Sequence, residues 1–104
     1  MRALAAVSPL FAVFHARGPA WDASRTLEQQ AGWDAHAAFM DALAADGFIA
    51  VGGPLEGSGE AMLIVRAGDP DEAVRRLAPD PWKTSGHLVV RACWHWDVRL
   101  GTRP

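Results

Sequence analysis

The stretch WDAHAAFMDAL (residues 33–43) has helical spacing. Trp33, Ala37, Met40, Leu43 and Ala44 form one apolar stripe, with Phe39 at its edge. His36 falls three residues after Trp33 and four before Met40, inside that stripe. An imidazole there must satisfy its nitrogens within the fold. Held that way beside a carboxylate, it is suited to general acid–base work near neutral pH. The alternative is a packed structural histidine.

The carboxylate candidate is Asp80, in APDPW (residues 78–82). Flanking prolines stiffen its backbone and restrict its side chain. A helix-terminating turn is the simpler reading of Pro-Asp-Pro. An acid at a helix C-terminus is disfavoured by the helix dipole, which argues for a role beyond stability. Nothing in the sequence itself brings Asp80 to His36. The segment Gly52-Gly53-Pro54-Leu55 reads as a tight turn at a strand end, where missing side chains let a ligand approach the backbone. It is not a phosphate loop, since neither a GxGxxG nor a Walker pattern is present. Cys93 and His95, with His15 and His87, have no recognised metal-ligand spacing, so no metal is expected. Cys93 and His95 share a strand face but, two residues apart, are too far from each other to act as a nucleophile–base pair without a bend. Trp21, Trp33 and Trp82 lie near chain turns and can wall a pocket for a flat ligand; Trp94 and Trp96 read as packing residues.

These groups need a scaffold, and its elements are legible in order. Residues 10–16 (LFAVFHA) form a strand stopped by Arg17-Gly18-Pro19. A helical region comes next over roughly 23–46, interrupted near Gly32 and closed by Asp46-Gly47, with glycine where a left-handed residue is usual. Residues 48–51 form a second strand closed by Gly52-Gly53-Pro54. A polar loop over 55–60 leads to a third strand over 61–67. Asp69-Pro70-Asp71-Glu72 starts a helix, with Asp69 as cap and Glu72 completing a capping box, and Pro79 stops it. The last strand spans 87–99. Its even positions from Leu88 to Leu100 are all apolar and its odd positions mostly polar, so one face is packed and the other wetter. The order is β-α-β-β-α-β, an α+β ferredoxin-like fold with a four-stranded antiparallel sheet and two helices on one face. The first strand is apolar on both parities, which calls for cover on the face the helices leave bare. A second subunit is the expected cover, giving a homodimer.

A chain of 104 residues, half of them hydrophobic, makes a single domain over 1–104. A formal charge of −2, with scattered arginines and no basic patch, offers no nucleic-acid footprint. The single cysteine permits no internal disulfide and fits a reducing compartment. The opening run of residues 1–14 resembles a signal peptide, but Pro9 splits it and its removal would delete the first strand. No stretch approaches the ~20 apolar residues of a membrane helix. A cytoplasmic protein without membrane contact is expected.

The succession Trp33-x-x-His36-x-x-Phe39-Met40-x-x-Leu43-x-x-x-Gly47, Gly53-Pro54-Leu55, Asp80-Pro81-Trp82 and Trp94 or Trp96 resembles the YciI-like (YCII-related) family over nearly the whole chain. The resemblance implies a dimeric α+β barrel and an active site built on a His–Asp pair, here His36 and Asp80. A few members of that family remove halide from chlorinated hydroxyquinone-type rings. The wider superfamily includes muconolactone isomerases and cofactor-free monooxygenases. By this resemblance the chain is expected to be a cofactor-independent lyase or isomerase acting on a small cyclic or aromatic metabolite. His36 would be the base and Asp80 its orienting partner, with Gly53, Pro54, Trp82 and His15 around an unknown small-molecule ligand. The chain has no tyrosine, which excludes a phenolic acid. The competing expectation is a non-catalytic ligand-binding or interaction module whose His–Asp pair is structural.

Overall fold

A computed structural model describes residues 8–104. The expectation that residues 1–14 lead into a strand rather than form a leader falls in part on residues 1–7, outside the described residues. Four strands form one antiparallel sheet: β1 (Leu10–Arg17), β2 (Ile49–Leu55), β3 (Glu60–Arg66) and β4 (Leu88–Trp96), in the order β2-β3-β1-β4. The helices are α1 (Trp33–Ala45), α2 (Pro70–Leu77) and α3 (Pro81–Ser85). No helix among the described residues is long and apolar enough to cross a membrane.

The expected α+β order is present, with differences that have local causes. Where two helices were expected there are three, because Asp80 begins a new helix instead of merely ending α2. Its side chain accepts from the Trp82 N–H at 2.9 Å and Pro81 takes the first helical position. Asp80 therefore sits at the favourable end of the α3 dipole, not at the unfavourable end of α2. The helical region expected from residue 23 shrinks to a single 3-10 turn at Leu27–Gln29, and α1 starts only after the left-handed Gly32. The α1 terminus is as expected, with Gly47 at φ 87°. In α2, Asp69 caps the Glu72 N–H at 2.7 Å, while the Glu72 carboxylate reaches the Gly68 N–H rather than that of Asp69.

Gly52-Gly53-Pro54 does not end β2. The strand continues to Leu55 and the hairpin turns at residues 56–59. As an edge strand, β2 hydrogen-bonds on one side only, so a proline and two glycines are accommodated. The last strand stops at Trp96 rather than 99, because Trp96 is paired with Leu10, the first residue of β1.

The core lies between the helices and one sheet face. Phe11 and Val13 from β1 and Leu63 and Val65 from β3 meet Leu43 of α1 and Leu77 of α2. The even-position stripe of β4 is not packed on one face. A register shift opposite Phe14 and His15 inserts one extra residue into β4. Val90 and Cys93 both reach the core, and His95 tilts against Phe11 with ring centroids 5.4 Å apart. Trp94 and Trp96 turn to the helix-free face, where they remain 66% and 41% exposed.

The chain after β1 is stapled to the start of β4. Gly18 N–H donates to the His87 carbonyl at 2.8 Å and Ala20 N–H to the Gly86 carbonyl at 3.0 Å. A Cβ at Gly18 would run into the Gly86 carbonyl oxygen, whereas one at Gly53 meets nothing within 4 Å. Gly18→Ala is expected to lower unfolding stability by roughly 1–3 kcal/mol, the usual range for overpacking. Gly53→Ala should hold stability or gain up to about 1 kcal/mol through the unfolded chain. Urea denaturation of both variants checks this; equal effects would contradict the staple.

Candidate functional site

His36 and Asp80, 44 positions apart, are in direct contact. His36 Nδ1 lies 2.8 Å from Asp80 Oδ1 and 3.0 Å from Oδ2. Asp80 is fully buried and His36 is 8% exposed. Burial raises the Asp80 carboxyl, but hydrogen bonds from His36 and from the Trp82 N–H more than offset it, and the group sits below its usual range. An ionised carboxylate can only accept, so Nδ1 carries the proton. The neutral ring then keeps its lone pair on Nε2, the nitrogen not taken up by Asp80.

The imidazole plane is fixed by stacking. Trp82 lies parallel to it, with centroids 3.9 Å apart and an interplanar angle of 10°. Behind Trp82, His87 stacks at 5.6 Å and 16°. The Trp82 Nε1–H donates to the Ala31 carbonyl at 2.8 Å, tying the indole to the chain just ahead of α1. Trp21 meets Trp82 edge-on at 5.5 Å. The loop carrying Trp21 is pinned by buried Gln30, which accepts from the Asp22 N–H at 2.9 Å and donates to the Asp22 carbonyl at 2.7 Å. A flat, largely apolar wall with one polarised imidazole results.

Beside it is a cavity of about 600 Å³ between α1, the loop before it and the β2–β3 side of the sheet. His36, His15, Gly53, Pro54 and Trp82 all line it, while Asp80 stands behind His36. The structure thus brings the six expected site residues together. Trp21 and Trp33 also line the cavity, as expected of residues near turns. Gly52 faces it with more constraint than Gly53, since a Cβ there would lie 2.5 Å from Leu63 Cδ2 and 3.0 Å from the Met62 carbonyl oxygen. Arg17, read from sequence only as part of a strand-ending turn, also lines the cavity. The signal for it was its position: two residues after His15 on the same strand places both on one face. Among the described residues, no group of three or more His, Cys, Asp or Glu side chains is placed to hold a metal ion.

His15 is 1% exposed, and its Nε2 has no hydrogen-bond partner among the described residues. Burial, reinforced by the charge of Lys83, lowers its pKa from 6.5 to about 4. In the fold this ring is neutral at pH 7 and down to about 4, while in the unfolded chain it takes a proton below about 6.5. The unfolded state therefore binds the extra proton between those limits, and stability falls as pH drops through that window. The full effect is on the order of 3 kcal/mol at 1.36 kcal/mol per pH unit. His15→Leu should flatten this part of the stability–pH curve. Urea titrations at intervals between pH 7 and 4 check it; parallel curves for the two proteins would contradict the assignment.

No family model, curated protein or solved structure matches this chain.

Proposed function

We propose that the chain is an enzyme that moves a proton on a small cyclic or aromatic carbonyl compound, with His36 Nε2 as the base and Asp80 as its positioning partner. The observation that carries this reading is the bidentate contact between His36 Nδ1 and the buried Asp80 carboxylate, at 2.8 and 3.0 Å, beside a cavity that His36 lines. A substrate C–H next to a carbonyl gives its proton to Nε2, and the electron pair moves onto the carbonyl oxygen as an enolate. Returning the proton to a different carbon completes an isomerisation; expelling a leaving group from the adjacent carbon completes an elimination. Neither route needs an external oxidant or reductant. Asp80 stabilises the imidazolium in between and stays ionised. Trp82, Trp33, Gly53 and Pro54 shape the walls around the ring, and His15 offers a neutral nitrogen to a polar substituent.

The test is deuterium wash-in from heavy water, monitored by NMR, on small cyclic ketones and lactones with a C–H next to the carbonyl. The intact protein should catalyse exchange, and His36→Ala should reduce the rate by about 10²–10⁴-fold. Asp80→Asn should also lose activity yet remain folded, since asparagine caps α3 as well as aspartate does. No exchange with any probe, or full activity of His36→Ala, would leave the pair a structural feature of a binding module.

The same reading includes a homodimer in which two sheets pack through their helix-free faces as a barrel. Val51, Leu55, Val89, Trp94 and Trp96 are all exposed on that face, with Trp94 at 66%, and no helix among the described residues covers it. Large apolar side chains left exposed on one face mark an interaction surface. Sedimentation equilibrium should give a mass of two chains for the natural protein and of one chain for Trp94→Glu. A monomeric natural protein at micromolar concentration would exclude the dimer.

A further inference from the structure

Arg17 is a cavity-lining cation without an ionic partner among the described residues. Its guanidinium lies over the Trp21 ring, 4.8 Å from the centroid. Glu60, another lining residue, is engaged by Arg91 at 2.8 Å, and the other lining arginine, Arg25, is engaged by Asp22 at 3.3 Å. Asp41 and Glu56 line the cavity from exposed positions and pair with no cation among the described residues. Arg17 is also held in place. Stacking fixes one face of the guanidinium, and the Trp21 beneath it is braced against Trp82.

Two residues earlier on the same strand face stands His15, buried, with Nε2 unpartnered. An unsatisfied buried nitrogen is uncommon in a native protein and calls for a partner. Residues two apart on a strand are separated by roughly 7 Å, about the span of one substituted six-membered ring. A neutral imidazole at depth and an unpaired guanidinium nearer solvent therefore lie along one line of the cavity floor, with the Trp33, Met40 and Pro54 walls between α1 and β2 around it.

We propose that the cavity takes a ring carboxylate, with Arg17 clamping the carboxylate and His15 Nε2 meeting a polar substituent across the ring. The guanidinium fork matches a carboxylate in two parallel hydrogen bonds, which a neutral amide of the same shape cannot reproduce. Arg17 is then a specificity-determining residue. This substrate class rests on the proton-transfer reading of the same site, but binding can be measured without turnover.

The probes are benzoate and 1-naphthoate, each against its neutral amide, titrated by calorimetry with the full chain. The expected result is that each carboxylate binds about ten-fold more tightly than its amide. Arg17→Gln should remove that preference by weakening each carboxylate about ten-fold more than its amide. His15→Leu should weaken 4-hydroxybenzoate, whose hydroxyl lies across the ring from the carboxylate, more than benzoate. Equal affinity for acid and amide, a preference that survives Arg17→Gln, or no saturable binding of any probe at millimolar concentration would overturn the proposal. Carboxylate binding that depends on Arg17 in a protein showing no deuterium wash-in would uphold the ligand class and defeat the catalytic reading. Wash-in that requires His36 with no acid-over-amide preference would do the reverse.

Discussion

A single carboxylate organises this protein. Asp80 is buried, and a charge in that position persists only if its lone pairs are met by donors. Two elements supply them: the first turn of α3 through the Trp82 N–H, and α1 through His36 Nδ1. The pairing fixes where α3 begins and where along α1 it docks. The indole of the residue whose amide caps the carboxylate then lies flat on the imidazole that shares it. Orientation, tautomer and ring plane of His36 all trace back to the same two oxygens.

That dependence ties stability to chemistry. Truncating one member of a buried, hydrogen-bonded pair typically costs about 1–3 kcal/mol, and more where the stranded group is charged. The site therefore cannot be loosened without loosening the packing between α1 and α3. Conversely, a histidine on an otherwise apolar stripe carries a desolvation penalty that only Asp80 offsets. The fold accepts an awkward residue in α1 because a second awkward residue, 44 positions later, matches it.

Much of the scaffold was legible because its signals are local. The Asp69 cap, the left-handed Gly47 and the aromatic run of β1 each report their own neighbourhood. What was not legible depended on partners. Gly52-Gly53-Pro54 looks like a turn until β2 is known to be an edge strand. The Pro-Asp-Pro turn looks like an ending, and only the cap of α3 makes it a beginning. The parity of β4 fails halfway, since the extra residue near Arg91 is set by its register on β1 and leaves no mark in the alternation. The His36–Asp80 pairing rested on a family resemblance, because spacing says nothing about contact over such a distance. Arg17 was passed over since a charged residue before Gly-Pro reads as a loop boundary, and only the assembled cavity shows what it faces.

The sheet is one residue thick, and β1 runs through its middle. His15 and Arg17 turn to the cavity side of that strand, while Phe14 and Ala16 turn outward to neighbours on β3 and β4. The floor of the cavity and the outer tryptophan-bearing surface are thus the two sides of a single wall. Whatever contacts the outer side meets the same strand that spaces His15 from Arg17. In this architecture one strand backbone separates the two surfaces, and alternate residues of β1 belong to each.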